Sequence, residues 1–391
     1  MPIVQCDVAV VGAGPAGSVV AAALASRGAR VAILDGSHPR EKPCGGGFTG
    51  RALALVRDLL PGDDLPGVRV EAARFTDTQR EQSALVPLPD AGTLLVASRR
   101  ETDGRLFTAA AKRGATVVRE RVVAIEPGPP HTLRTSGGRR VRARWVVGAD
   151  GANSFVRRHF TAPFTRAQLS VATGYYARGR SSREIVLELV ERPAGYIWSF
   201  PRPDHLAIGI CAQATDTTVG AVRGVLARWL ADSCIAGGAR LEPYSWPIPS
   251  LSAADFTQVP LAGDGWITVG DAAGLVDPIT REGIYFALRS ALIASNALGT
   301  SGTLPDEQYT EQVRAELGTD LAAAARLKAG FFQPQFTRML LEALNSSTAV
   351  QAVMADLVAG TQPYSTIKWR LLGTLEFGLA WRWLRLAYLP A

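Results

Sequence analysis

Cysteine is scarce in this chain of 391 residues. Cys6, Cys44, Cys211 and Cys234 lie far apart and form no C-x-x-C pair, which argues against a disulfide framework or a zinc site and fits a reducing cytosol. Histidine is equally thin: His38, His131, His159 and His205 are the only four, none at metal-ligand spacing, and no metal is expected. Charge of one sign never gathers into a run of five, and no basic stripe alternates with aromatic rings. The cation surplus, 42 Lys and Arg against 35 Asp and Glu for a net +7, therefore suits an anionic cofactor or lipid surface better than nucleic acid. Long apolar runs are missing with one exception. Residues 8–26 carry no charge over nearly the length of a membrane span. "GAGPAG" interrupts that run, however, and no basic residue precedes it as in a signal peptide. The expectation is a cytoplasmic protein, at most peripheral to the inner face of the membrane.

What is present is a core. Hydrophobic residues make up 47% of the chain, enough for a globular protein of two or three layers or domains. "CDVAVVGAGPAGSVVAAALASRGARVAILDGS" reads as strand, tight turn, helix and second strand. Residues 8–11 have the continuous apolar character of a buried parallel strand. Gly12, Gly14 and Gly17 follow at G-x-G-x-x-G spacing, for the turn, the approach of a pyrophosphate and close helix packing respectively. The helix predicted over 16–27 aims its first amides at that anion. After a strand at 31–34, Asp35 is placed to accept from ribose hydroxyls. These features specify a dinucleotide and leave NAD and FAD open.

Three later segments bear on that choice. "ASRRETDGRLFTAAAKRGATVV" sets Arg99 and Asp103 at the start of a helix. "WVVGADGANSFVRR" is a strand ending at Asp150 and Gly151. "GWITVGDAAGLVDPITREGIYFALRSA" is a strand, then Gly270 and Asp271, then Asp277 and Pro278, then a helix opening near Gly283. Together with the first motif they resemble the flavoprotein group typified by para-hydroxybenzoate hydroxylase, over most of the chain up to about Thr300. That resemblance implies FAD, with cofactor contacts from Gly12, Gly14, Pro15, Ala16, Gly17, Asp35, Gly36, Cys44, Gly45, Gly46, Arg99, Val123, Asp150, Gly151, Gly270, Asp271, Pro278, Glu282, Gly283 and Ile284. There is no second G-x-G-x-x-G with its own strand and helix, so the electron donor, NAD(P)H or another reductant, is expected to visit transiently.

"PAGYIWSFPRP" puts Tyr196, Trp198 and Phe200 at alternate positions, on one face of an extended strand, with Ile197 and Ser199 on the other. The stretch matches P-x-x-Y-x-W-x-F-P throughout, and "EKPCGGGFTGRAL" carries a K-P-C-G-G segment. Both resemble the geranylgeranyl reductase family, whose members saturate double bonds of long prenyl chains. The resemblance implies a hydrophobic prenyl-lipid or quinone substrate. One departure is Arg281, where many relatives have glycine before Glu282. The chemistry gives the rings a purpose. An isolated alkene accepts hydride readily only if a proton adds first or together with it, and an aromatic face stabilises the positive charge that develops. Tyr196, Trp198 and Phe200 are thus the candidate catalytic wall, and Cys44 the first candidate proton donor. A monooxygenase on a hydrophobic substrate, possessing the same FAD motifs, is the alternative. A halogenase would require W-x-W-x-I-P, in which Tyr196 and Phe200 stand instead.

The expected fold is α/β. Residues 1–70, 95–165 and 255–300 form a discontinuous Rossmann-like FAD-binding domain with a parallel sheet. Residues 71–94 and 166–254, rich in alternating patterns, form an antiparallel-sheet substrate domain. Residues 301–391 form a helical region. Its last 24 residues, with three tryptophans and four basic residues against one acid, read as a peripheral membrane contact, as a cover that closes the substrate tunnel, or as a segment packed on the body of the protein.

Overall fold

Val4–Val11 is the strand on which the first sheet is built, because its apolar residues are buried on both faces. It pairs in parallel with Arg140–Gly148 on one side, Val11 opposite Gly148, and with Val31–Leu34 on the other, Val10 opposite Ile33. This computed structural model describes residues 3–60, 65–90, 92–126, 128–299 and 304–374. The sheet runs Ala262–Gly263, Trp266–Thr268, Arg140–Gly148, Val4–Val11, Val31–Leu34, Thr116–Val118, with Val122–Glu126 and His131–Thr135 added antiparallel beside Arg140–Gly148. Helix Pro15–Ala25 packs against helices Arg99–Lys112 and Ile284–Gly299. Ala21 and Ala22, fully buried, keep its profile thin. Gly12, Asp35, Asp150 and Asp271 all follow the C-terminal ends of parallel strands, the edge where an open α/β sheet binds its ligand.

The second sheet has seven strands, in the order Arg240–Pro249, Leu169–Arg178, His205–Gln213, Ala194–Pro201, Glu184–Glu191, Ala72–Asp77, Gln82–Pro87. It corrects the antiparallel expectation at one junction: Ala72–Asp77 runs parallel to Glu184–Glu191. The chain passes through the first sheet between these two strands, and such a crossover frees the second strand from the reversal a hairpin imposes. Helix Val219–Ser233 covers one face, where Ile197, Ile208 and Ile210 meet Val222, Leu226 and Trp229. Trp198, Tyr176, Cys211 and Tyr244 occupy the opposite face. A small third sheet consists of Gly47–Thr49, Leu94–Ala97 and Gly67–Arg69.

The C-terminal region is helical as expected: Pro305–Val313, Thr319–Phe331, Pro334–Ser346, Thr348–Val358 and Ile367–Gly373. Phe336, Leu340, Leu344 and Val353 form one core with Ala73, Phe75, Val86 and Ile185 of the second sheet. No described helix is long and apolar enough to cross a membrane. The tryptophan-rich stretch beyond Thr374 lies outside the described residues.

Candidate active site

The two sheets and the C-terminal helices enclose a cavity of about 660 Å³. Its nucleotide end is set by backbone geometry. Gly12 has φ +102°, and a Cβ there would come within 2.9 Å of the Asp150 Cα. A Cβ at Gly17 would fall on the Gly12 carbonyl oxygen. Only glycine lets helix Pro15–Ala25 start this close to the strand, with no acidic side chain in its first turn to compete for the amides. The cradle therefore fits a diphosphate.

Asp35 lies beside it and is already engaged. Its carboxylate accepts from the amides of Ala13 (2.9 Å), Ser37 (2.6 Å) and His38 (2.9 Å), and lies 2.8 Å from His38 Nδ1. His38 Nε2 is 3.7 Å from the buried Asp103, which in turn takes a fork from Arg99 at 2.9 and 2.8 Å. Burial opposes charge on Asp35, but His38 and the amides outweigh it and hold the carboxyl below its usual range. Burial likewise disfavours the imidazolium of His38, and Asp103 and Asp35 overcome it, raising His38 above its ordinary value. His38 is a cavity-wall residue with no signal in the sequence motifs.

Arg99 also donates to Cys44 Sγ at 3.4 Å, which brings the K-P-C-G-G loop to the same wall. That loop is gripped by a second residue that the motifs do not reveal. Arg202 is fully buried and donates to the carbonyls of Ala97, Cys44 (3.2 Å) and Gly45 (3.2 Å), with Glu41 at 3.3 Å. A Cβ at Gly45 would land on the Phe200 ring. The glycines thus let the loop press between Phe200 and Arg202. Lys42 pairs with Asp271 at 2.7 Å and ties the loop to the Gly-Asp turn.

Asp150 turns its carboxylate into helix Phe155–Phe160, accepting from Ser154 Oγ (2.5 Å) and the Phe155 amide (2.6 Å), and burial pushes it up. Glu282 takes Thr49 (2.9 Å) and Arg51 (2.5 Å); burial raises it despite the arginine. Of the expected cofactor residues, Gly12, Gly14, Pro15, Ala16, Asp35, Gly36, Cys44, Gly45, Gly46, Arg99, Asp150, Gly151, Asp271, Glu282, Gly283 and Ile284 line the cavity, while Gly17, Gly270 and Pro278 do not. Val123 is not on the cavity wall either: its side chain is 46% exposed, and its neighbour Val122 lines the wall.

Tyr196, Trp198 and Phe200 all face the cavity. Tyr196 and Trp198 have ring centroids 5.6 Å apart, and the Tyr196 hydroxyl donates to the Thr280 carbonyl at 2.6 Å. Leu189 and Leu187 stand opposite them across the strand pair. The far side is closed by Phe331, Phe332, Met354, Leu357 and Tyr364. Helices before residue 368 therefore close this side, whereas the tryptophan-rich last 24 residues, for which a cover was one reading, lie mostly outside the described residues. Arg281, the departure, has φ +61° and donates to Ser250 Oγ at 2.6 Å from the cavity wall.

A family profile for an FAD binding domain matches residues 5–175. The chain is 27% identical over 387 residues to a menaquinone reductase of Mycolicibacterium smegmatis, covering 90% of this chain and 92% of that one. Its fold superposes with TM-score 0.79 and 22% identity on the crystal structure of a geranylgeranyl bacteriochlorophyll reductase-like protein from Thermoplasma acidophilum, covering 95% and 100% of the two chains. To a geranylgeranyl diphosphate reductase of Rhodobacter capsulatus it is 30% identical over 304 residues, 74% of each chain. Identity sustained over that length goes beyond a shared fold: the chain belongs to the geranylgeranyl reductase family of FAD-dependent oxidoreductases.

Proposed function

We propose that the protein saturates carbon–carbon double bonds of a prenyl chain borne by a lipid or quinone. The observation that carries this is continuity. The diphosphate cradle and a wall of Tyr196, Trp198 and Phe200 belong to one cavity, whose remote side is lined by Phe75, Ile185, Phe331 and Met354 and suits a long run of hydrocarbon. The names of the relatives, prenyl diphosphate and menaquinone reductases, point the same way.

Reduced FAD, when bound, supplies hydride. Gly12, Gly14 and the first amides of helix Pro15–Ala25 would hold its pyrophosphate, Asp35 and His38 would face its ribose, and the Asp271 turn with Gly283 and Ile284 would receive the rest. The electrons come from NAD(P)H or another small reductant that visits transiently. The chain's own groups do the remainder. Trp198, only 5% exposed, keeps water from the alkene and offers its face to the tertiary carbon as positive charge develops, worth about 0.5–2 kcal/mol. Cys44 is the proton donor in this scheme, and the Arg99 guanidinium, 3.4 Å away, is placed to hold the negative charge left on sulfur.

The test is an anaerobic incubation of photoreduced holoenzyme with a geranylgeranyl lipid, followed by mass spectrometry. Gain of two hydrogens per double bond is expected. Turnover that begins only when oxygen enters, with gain of one oxygen atom, replaces the reading with a monooxygenase.

A further inference from the structure

Several cations in and around the cavity are ion-paired, while Arg40, Arg121 and Arg158 of its wall have no ion pair among the described residues. Lys42 pairs with Asp271, Arg51 with Glu282, Arg99 with Asp103 and Arg202 with Glu41. Arg281 and Lys328 differ. They come from a loop and a C-terminal helix distant in sequence, yet both donate to the same hydroxyl, Ser250 Oγ, at 2.6 and 2.9 Å. Lys328 also donates to Gln213 Oε1 at 2.5 Å, and Ser250 in turn donates to that oxygen at 2.9 Å. Among the described residues neither cation has a carboxylate at ion-pair distance. Asp277, four residues before Arg281, spends its carboxylate on the amides of Ile279 (2.7 Å) and Thr280 (2.9 Å). The Nε of Arg281 is buried without a hydrogen-bond partner. Two cations held together by one hydroxyl in a half-buried place repel each other, a cost relieved when the amine gives up its proton or when an anion joins them.

Arg281 lines the cavity near Tyr196, whereas Lys328 and Ser250 lie off its wall. Arg281 acts electrostatically on both Tyr196 and Cys211, cross-strand partners on the same face of the sheet as Trp198. We infer that Arg281 and Lys328 seat an anionic headgroup, a phosphate or diphosphate ending the prenyl chain, and thereby select charged-headed substrates over neutral ones. The inference rests on the prenyl-chain reading for its tail. The cavity between Phe75, Ile185, Phe331 and Met354 is left for the hydrocarbon. A quinone head gains nothing from two cations, whereas a diphosphate offers several acceptor oxygens to the Arg281 fork.

Lys328 makes the seat sensitive to pH. Burial, then the neighbouring Arg281 guanidinium, lower its ammonium to about 7, while Cys211 and Asp216 act weakly the other way. An anion binds the protonated form, so affinity falls as pH rises through that value. A guanidinium in place of this amine stays charged, and the Lys328→Arg variant should hold its affinity to higher pH; titration of the ligand itself is common to both proteins.

The experiment is equilibrium binding to the holoenzyme, read by flavin absorbance and by competition, using inorganic pyrophosphate, a prenyl diphosphate and the corresponding prenyl alcohol. The diphosphate should bind about tenfold or more tighter than the alcohol, the loss expected when one charge-assisted contact is removed. Arg281→Gln should erase that advantage and leave the alcohol unchanged. Equal affinities in the unmodified protein, pyrophosphate that does not compete, or an unaltered preference in Arg281→Gln would overturn the seat. Pyrophosphate binding needs no turnover, so failure of prenyl reduction and failure of the anion seat are read separately.

Discussion

The two ends of the cavity are built by opposite strategies. The nucleotide end is backbone: a positive-φ glycine, a helix start, and acids that spend their charge on amides and neighbouring cations. The hydrocarbon end is side chain: three rings from one strand, leucines from the next, and phenylalanines and a methionine from helices more than a hundred residues later. The first tolerates almost no change of shape and little of its chemistry varies with substrate. The second is adjustable, since apolar groups of similar volume exchange at modest cost. Mutations should therefore separate cofactor loading from turnover.

The harshest test of that separation is Gly12→Ala. The new methyl meets Asp150 at 2.9 Å on a backbone at φ +102°, so the protein should purify colourless even after incubation with FAD, with its far-ultraviolet circular dichroism retained. A yellow, stoichiometrically loaded variant would strip the glycine cradle of its role. Next is Arg202→Met at the hinge between the two ends. It takes the donor from three carbonyls and the cation from Glu41, whose carboxylate keeps Ser98 Oγ and the Arg99 and Arg100 amides. Removing one partner of a buried pair costs up to about 3–5 kcal/mol. Thermal unfolding should show it, with Arg202→Lys less damaged; a melting temperature indistinguishable from the parent's contradicts the clamp. Trp198→Ala should do the reverse of Gly12→Ala: full FAD occupancy with turnover lower by about tenfold to thirtyfold, the equivalent of up to about 2 kcal/mol of lost charge stabilisation. Unchanged turnover would reduce the ring wall to packing.

The same contrast explains what was legible in advance. Gly12, Asp35, Cys44 and Trp198 sit in short contiguous motifs whose spacing is itself the geometry, and all four line the cavity. Strand parity placed Ile197 correctly on the face opposite the rings, which a helix covers, whereas Val123 lies off the cavity wall beside Val122, which lines it. Phe331, Phe332, Met354 and Tyr364 carry no local mark; their helical spacing is that of any core residue, and only tertiary packing turns them toward a substrate. Arg202 has the local look of a surface charge between two prolines at a strand end. Its burial depends on carbonyls from residues 44, 45 and 97, which no local window contains.

The mildest prediction concerns the polar chain behind the cradle. His38 is raised in the folded protein by Asp103 and Asp35. Its contribution is therefore complete below the ordinary imidazole value and is lost as pH climbs through the raised one. Asp35 is held low, so its share is present above the ordinary carboxyl value and disappears only in acid. His38 alone therefore draws the melting temperature down as pH rises above the ordinary imidazole value, while Lys328, whose ammonium is held at about 7, draws it up over the alkaline span. His38→Gln keeps a hydrogen-bond donor near Asp35, where the imidazole now sits at 2.8 Å, but has no charge to lose. Relative to the parent, its melting temperature should fall less or rise more on the alkaline side. Lys328→Arg stays charged, so it should lose the alkaline gain that the depressed lysine supplies as well as shift the pH dependence of anion binding. A His38→Gln variant whose FAD retention and melting temperature run parallel to the parent's from about pH 6 to pH 9 (roughly the span over which histidine charge changes) would mean that the Asp35–His38–Asp103 chain orients the turn without storing charge.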